Sequence, residues 1–229
     1  MPDTLDNALG THPGEAQEIL TQLCRQPSVA AQRLGMDEAA SLVEGLLAQT
    51  GFHTQRIAVP GAPDYVYGEA PGRSRYTLLL YNHYDVQPAE PFDLWETPPF
   101  EPTVREGYFY ARGASDNKGE LAARLAALRA LRRADGSFPI NIRWIVEGEE
   151  EIGSPHFPIL AENYASLLQA DACLWEGSGF NHLDQPDLVL GTKGLLYVEY
   201  ETQGAGIYCT RCYNIRNKKR IWFRFRKRN

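Results

Sequence analysis

The strongest constraint on the fold of this chain is a pair of apolar segments that each run directly into acidic or imidazole side chains. Tyr76 to Tyr81 is nearly continuous in apolar and aromatic residues and is followed at once by Asn82-His83-Tyr84-Asp85. A short run of this kind reads as a strand covered on both faces. Ile140, Ile142, Trp144 and Val146 alternate as in a second strand, which ends at Glu147, Glu149, Glu150 and Glu151. Open α/β sheets place their sites at the carboxyl ends of strands, so the pattern predicts an α/β fold with chemistry at that edge.

The remaining elements fit around these two. Apolar positions recur at helical spacing over 14–25 and 36–50, and Gly51 sits where the second helix would stop. Strands are expected at 52–59, 64–69, 104–111 and 171–175. Five of the fifteen prolines fall within 87–103, which reads as an extended connection. Leucines at 121, 125, 128 and 131 predict a helix over 117–133, with Arg129, Arg132 and Arg133 at its negative end. A further helix is expected at 156–169, and a hairpin or two edge strands at 187–203.

Charge divides the chain. Residues 207–229 hold nine of the 23 Lys and Arg and none of the 29 Asp and Glu, so residues 1–206 carry 14 basic and 29 acidic groups, a net of −15. A body that acidic repels nucleic acid and draws cations to any cleft where carboxylates converge. Met1 to Gly10 is acidic and polar, unlike a secretory signal, and no apolar run approaches membrane-spanning length, so the expected location is cytoplasmic, with no membrane partner. Four scattered cysteines agree with a reducing compartment, and Cys24 and Cys173 read as buried thiols.

Each acidic motif has a plain reading beside a chemical one. His83 and Asp85 are two apart, so on a continuing strand both face one way and the carboxylate can fix the imidazole tautomer. A hydrogen-bonded polar pair at a strand end would look the same. Asp116 precedes a helix and could be its N-cap or a carboxylate bridging two cations. Glu176 ends a strand before Gly177 and, alone, reads as a solvated loop residue. The glutamate run is sharper, because no Lys or Arg follows until Lys193, where an exposed helical face would supply partners. Adjacent glutamates can divide labour, one binding metal and the other moving a proton. If the segments converge, so many like charges need cations beside them.

Taken together, His83-Tyr-Asp85-Val-Gln-Pro, Tyr110-Ala-Arg-Gly113, Asp116-Asn-Lys-Gly119, Glu147-Gly-Glu-Glu-Glu-Ile-Gly-Ser154 and Leu174-Trp-Glu176-Gly resemble metallopeptidase family twenty. These are zinc-dependent dipeptidases, carboxypeptidases and aminoacylases, and the resemblance is to the carnosinase and nonspecific dipeptidase branch over about residues 15–206. It implies the N-terminal part of a di-zinc aminopeptidase-type catalytic domain, with a mixed central sheet flanked by helices. His83 and Glu176 would bind one zinc, Asp116 would bridge, and Glu151 would belong to the other zinc. Glu150 would be the general base and Asp85 the carboxylate orienting His83, with Glu149 outside the ligand set. Manganese or cobalt could replace zinc. The dipeptidase branch often has aspartate where Glu176 stands. The implied substrate is a dipeptide or N-acyl amino acid, and the implied assembly is a homodimer through a lid domain.

The expected domain organisation is a partial catalytic domain over 1–206 and a basic tail over 207–229. The family usually continues after Gly204-Ala-Gly206 into an acidic residue and His-Ser-Gly, where this chain reads Ile207-Tyr-Cys-Thr-Arg-Cys212. The lid and a final histidine ligand are absent from the sequence, which predicts a weak second zinc and low turnover. A frame change near Gly206 would account for the tail, and translating the coding DNA in the other frames tests it. Cys209-Thr-Arg-Cys212 has zinc-knuckle spacing, but structural zinc needs four ligands. The alternative function is non-catalytic anion or nucleic-acid binding through the tail.

Overall fold

The computed structural model describes residues 14–177 without a break, together with Gly10, His12 and isolated residues between 179 and 194. The chain forms two compact units, one through Gly177 and one from Ser178. In the second, the Asp187 amide donates to the Gly179 carbonyl at 2.8 Å. The hairpin or edge strands expected at 187–203 lie outside the described residues apart from isolated positions, and the basic tail lies wholly outside them.

The first unit is a mixed α/β structure. Helix α1 (Glu15–Arg25) leads to α2 (Met36–Thr50), then β1 (His53–Ile57), β2 (Tyr65–Ala70) and β3 (Thr77–His83). A small pair, β4 (Thr103–Arg105) and β5 (Tyr108–Tyr110), precedes α3 (Lys118–Asp135). Strand β6 (Asn141–Glu147), α4 (Phe157–Asn163), α5 (Ala165–Leu168) and β7 (Ala172–Leu174) complete it. The five-stranded sheet runs β1-β2-β6-β3-β7, antiparallel at β1/β2 and β2/β6 and parallel at β6/β3 and β3/β7. Strand β3 thus lies between two parallel neighbours reached through different helices, the switch point where such sheets bind ligands. Its register pairs His83 with Glu147.

Alternation along the strands sorts side chains between two helical layers. Val66, Ala70, Leu80, Ile142, Trp144 and Val146 face a large core shared with α1, α2 and α3. Tyr65, Tyr67, Leu79, Tyr81 and Ile145 face a smaller core closed by Leu160 and Phe157 of α4 and Leu167 and Leu168 of α5. Gly51 ends α2 at φ 101°, where its amide reaches the Ala48 and Leu47 carbonyls.

Three expectations are corrected. The strand expected at 104–111 is the β4–β5 hairpin, because Glu106 and Gly107 both take positive φ, as a two-residue type I′ turn requires. The helix expected at 156–169 breaks at Tyr164, whose φ and ψ of −122° and 28° leave the helical region. Cys24 is buried as expected, but Cys173 is exposed, because β7 has a partner on one side only among the described residues. No described helix is long and apolar enough to cross a membrane.

Candidate metal centre

His83, the last residue of β3, is fully buried, and its two ring nitrogens face different partners. Nδ1 meets the Asp85 backbone carbonyl at 3.0 Å and Asp85 Oδ1 at 3.3 Å. Nε2 faces three carboxylates: Asp116 Oδ1 at 2.9 Å, Glu176 Oε2 at 3.2 Å and Glu150 Oε2 at 3.8 Å. Ligand atoms of His83, Glu150 and Glu176 lie within 4.8 Å of one another, and so do those of His83, Asp116 and Glu151. The structure therefore brings His83, Asp116, Glu150, Glu151 and Glu176 to one place.

The acidic turn after β6 is fixed by hydrogen bonds that sequence reading did not supply. Asp85 is fully buried and accepts from the Glu150 amide at 3.2 Å and the Glu151 amide at 3.1 Å. Its carboxylate therefore anchors the turn as well as approaching His83. Glu151 Oε2 accepts from Gln87 Nε2 at 2.7 Å. Glu149 points elsewhere, to His156 Nδ1 at 2.8 Å. Gly148 is needed for packing, since a Cβ there would sit 2.4 Å from Tyr84 Oη.

Asp116 is not the N-cap of α3. That position belongs to Asn117, which makes no side-chain cap bond, whereas Asp116 reaches His83. Asn117 Oδ1 accepts from Asn82 Nδ2 at 2.5 Å and from the His83 amide at 3.3 Å. Asn82 Oδ1 in turn accepts from Trp144 Nε1 at 3.0 Å and Arg124 at 2.7 Å. This buried network ties β3, β6 and α3 together behind the acidic residues. Its only sequence signal is a polar Asn82 inside an otherwise apolar run.

The electrostatics match a cluster of like charges. Burial raises Glu176 to about 7, and the charges of Glu150, Asp116 and Glu120 act in the same direction against His83. Burial also raises Glu150 and Glu151. For His83 burial works downward, but the Asp85 hydrogen bond and the charges of Glu176, Asp85 and Glu150 prevail and lift it to about 10. Glu147, buried at the end of β6, rises to about 7 through burial, although Tyr81 at 2.5 Å and Ser154 at 3.0 Å donate to its Oε1.

A divalent cation fits this donor set. Imidazole Nε2 carries at most one proton and Asp116 lies nearest, so Glu176 Oε2 remains buried without a hydrogen-bond donor. One imidazole with several carboxylates is a ligand mixture suited to zinc, manganese or cobalt.

Residues 79–206 match the family described as Peptidase family M20/M25/M40. The chain belongs to this family. It is 34% identical over 225 residues to the Cys-Gly metallodipeptidase dug1 of Schizosaccharomyces pombe, covering 89% of this chain and 47% of that protein. It is 37% identical over 187 residues to the human Beta-Ala-His dipeptidase, covering 80% and 36%. The M20 family metallo-carboxypeptidase Sso-CP2 from Sulfolobus solfataricus superposes with a TM-score of 0.75 at 38% identity, covering 82% of this chain and 44% of that one. The M20 chain thus spans about half the length of these relatives or less. Its family relationship accounts for the mixed sheet and for a metal-type donor set at the β3 switch point.

Proposed function

We propose that this chain carries the ligand-bearing part of a divalent-metal peptidase site acting on dipeptides or N-acyl amino acids, with zinc as the metal. The convergence of Asp116, Glu150 and Glu176 on one imidazole nitrogen, within 3.8 Å, carries the reading. His83 and Glu176 would hold one ion, Glu151 would serve a second, and Asp116 would be available to both. On this reading residues 1–206 are the catalytic part and 207–229 a separate basic segment.

When bound, such ions polarise the scissile carbonyl and acidify a coordinated water. The chain's own residues supply the rest. Asp85 holds the Glu150 and Glu151 amides, which fixes both side chains at the sheet edge. Glu150, 3.8 Å from His83 Nε2 and partly exposed, can take a proton from the attacking water and deliver it to the leaving amine. Burial raises its pKa, the direction that suits a carboxylate that has to take up a proton.

Metal titration of the full chain tests the reading, with Cys-Gly and β-Ala-His, the dipeptides named for two relatives, as first substrates. One ion is expected to bind tightly and a second weakly, because the second has only Asp116 and Glu151 among the described residues. His83→Ala should abolish the tight site. Glu150→Gln should keep metal affinity and lower dipeptide hydrolysis by about 10²-fold or more. Failure of the wild-type chain to bind any divalent ion, or unchanged hydrolysis in Glu150→Gln, would overturn it.

A further inference from the structure

Glu176 differs from the other carboxylates in how it is held. Strand β7 pairs with β3 only through Leu174, two residues earlier, and all three of its residues are exposed. Residues 175–177 are instead fastened to α3. One arm of Arg124, NH2, donates to the Trp175 carbonyl at 2.6 Å, and the Gly177 amide donates to Glu120 Oε1 at 3.1 Å. Glu120 and Arg124 pair one helical turn apart, at 3.5 Å.

The other arm, NH1, donates to the Tyr81 carbonyl at 2.6 Å and to Asn82 Oδ1 at 2.7 Å, immediately before His83. A single planar guanidinium therefore bridges the strand end that presents His83 and the one that presents Glu176. Lysine, with a compact ammonium, cannot reproduce that fork. The Trp175 ring stacks on Tyr81 at 3.7 Å and 8°, adding a third tie between the same two strands. An ordinary exposed i,i+4 ion pair contributes little to its helix. This pair is mostly covered, with side chains 16% and 24% exposed, and its hydrogen bonds go to the residues on either side of Glu176.

We infer that Glu120 and Arg124 form a positioning clamp that sets the Glu176 carboxylate against His83 and thereby sets the affinity of the metal site proposed above. Neither residue touches the reacting atoms. The inference rests on that metal-site reading for its affinity arm, whereas the clamp itself is measurable without metal.

The test uses the full chain with Glu120→Ala, Glu120→Gln, Arg124→Met and, as reference, Glu176→Ala. Alanine suits the helix, so Glu120→Ala keeps the experiment alive if Arg124→Met fails to fold. In metal-free protein, amide exchange at Gly177 should quicken about tenfold in Glu120→Ala, and Glu120→Gln, which keeps an acceptor oxygen, should largely restore protection. Cobalt affinity should fall about 10–100-fold in Glu120→Ala and Arg124→Met, with a changed visible spectrum, as for other residues that orient ligands. Unchanged exchange at Gly177 in Glu120→Ala overturns the clamp. Faster exchange with wild-type cobalt affinity and spectrum overturns its positioning role. Wild-type cobalt binding by Glu176→Ala would sink the metal-site reading instead, leaving the exchange result to decide the clamp.

Discussion

The chain leaving β6 and the chain leaving β7 each carry a glutamate to His83, Glu150 in the first case and Glu176 in the second, yet the two ends are built differently. Strand β6 is paired on both sides, and Trp144, Ile145, Val146 and Glu147 are all buried. The Tyr84 amide extends the pairing to the Glu147 carbonyl at 2.8 Å, and Asp85 then takes the next two loop amides. Among the described residues strand β7 is paired on one side and exposed throughout, and it hands Glu176 to a few side-chain hydrogen bonds. Position at β6 is set by nonlocal apolar burial, so damage there spreads to the whole fold. Position at β7 is set by a few polar contacts, so damage there stays near the site.

The sharpest way to break this contrast is Trp144→Ala. Trp144 is fully buried, packs edge-on against Phe52 and donates to Asn82. Its truncation is expected to cost about 3–5 kcal/mol in denaturant unfolding. A loss below about 1 kcal/mol would mean that β6 is not the anchor. Glu147→Ala comes next. It leaves the Tyr81 and Ser154 hydroxyls without their shared acceptor, which is expected to cost about 1–3 kcal/mol, and Glu147→Gln should recover part of it.

The same acidic residues set a pH dependence. Glu147 and Glu176 keep their protons to about 7 in the folded chain, against 4.5 ordinarily. Between those values the folded state binds more protons than the unfolded one, so metal-free stability falls as pH rises through that window. His83, lifted from 6.5 to about 10, acts in the same direction: its stabilisation is complete below 6.5 and is lost as pH rises through about 10. A cation at the site would replace the protons of Glu176 and His83, so thermal unfolding with zinc should show a flatter profile than with chelator. A metal-free midpoint that climbs from about pH 5 to about pH 9 would contradict this.

The contrast also explains how much was legible in the sequence. The β3 and β6 segments, expected at 76–81 and 140–146, are Thr77–His83 and Asn141–Glu147, because burial on both faces leaves a strong apolar signature. The helical stripe expected over 117–133 is Lys118–Asp135. Places at strand ends and before a helix made a meeting of His83, Asp116, the glutamate run and Glu176 conceivable, whereas the choice of Glu150 and Glu151 within that run came from the family resemblance. Long-range polar contacts were not readable. Nothing in the spacing of α3 says that the arms of Arg124 join residues 81, 82 and 175. Asp85 was read as a partner of His83, while its bonds to the next strand's loop depend on a register that only folding reveals. The β4–β5 turn was missed although Glu106-Gly107 carries its signal, since a β-favourable stretch hid the break.

The smallest expected effect is at β7 itself. Leu174 is 42% exposed and pairs with Leu80 at the last rung of the β3/β7 ladder. Only partial apolar burial is lost in Leu174→Ala, so the cost should stay below about 1 kcal/mol, several-fold less than at Trp144. The side chain makes no hydrogen bond to residues 175–177, whose ties run to Glu120, Arg124 and Tyr81. Cobalt affinity should therefore stay within a few-fold of wild type while Glu120→Ala lowers it. If Leu174→Ala weakens metal as much as Glu120→Ala does, then strand pairing rather than the polar contacts places Glu176. The two strand ends would then work by the same means.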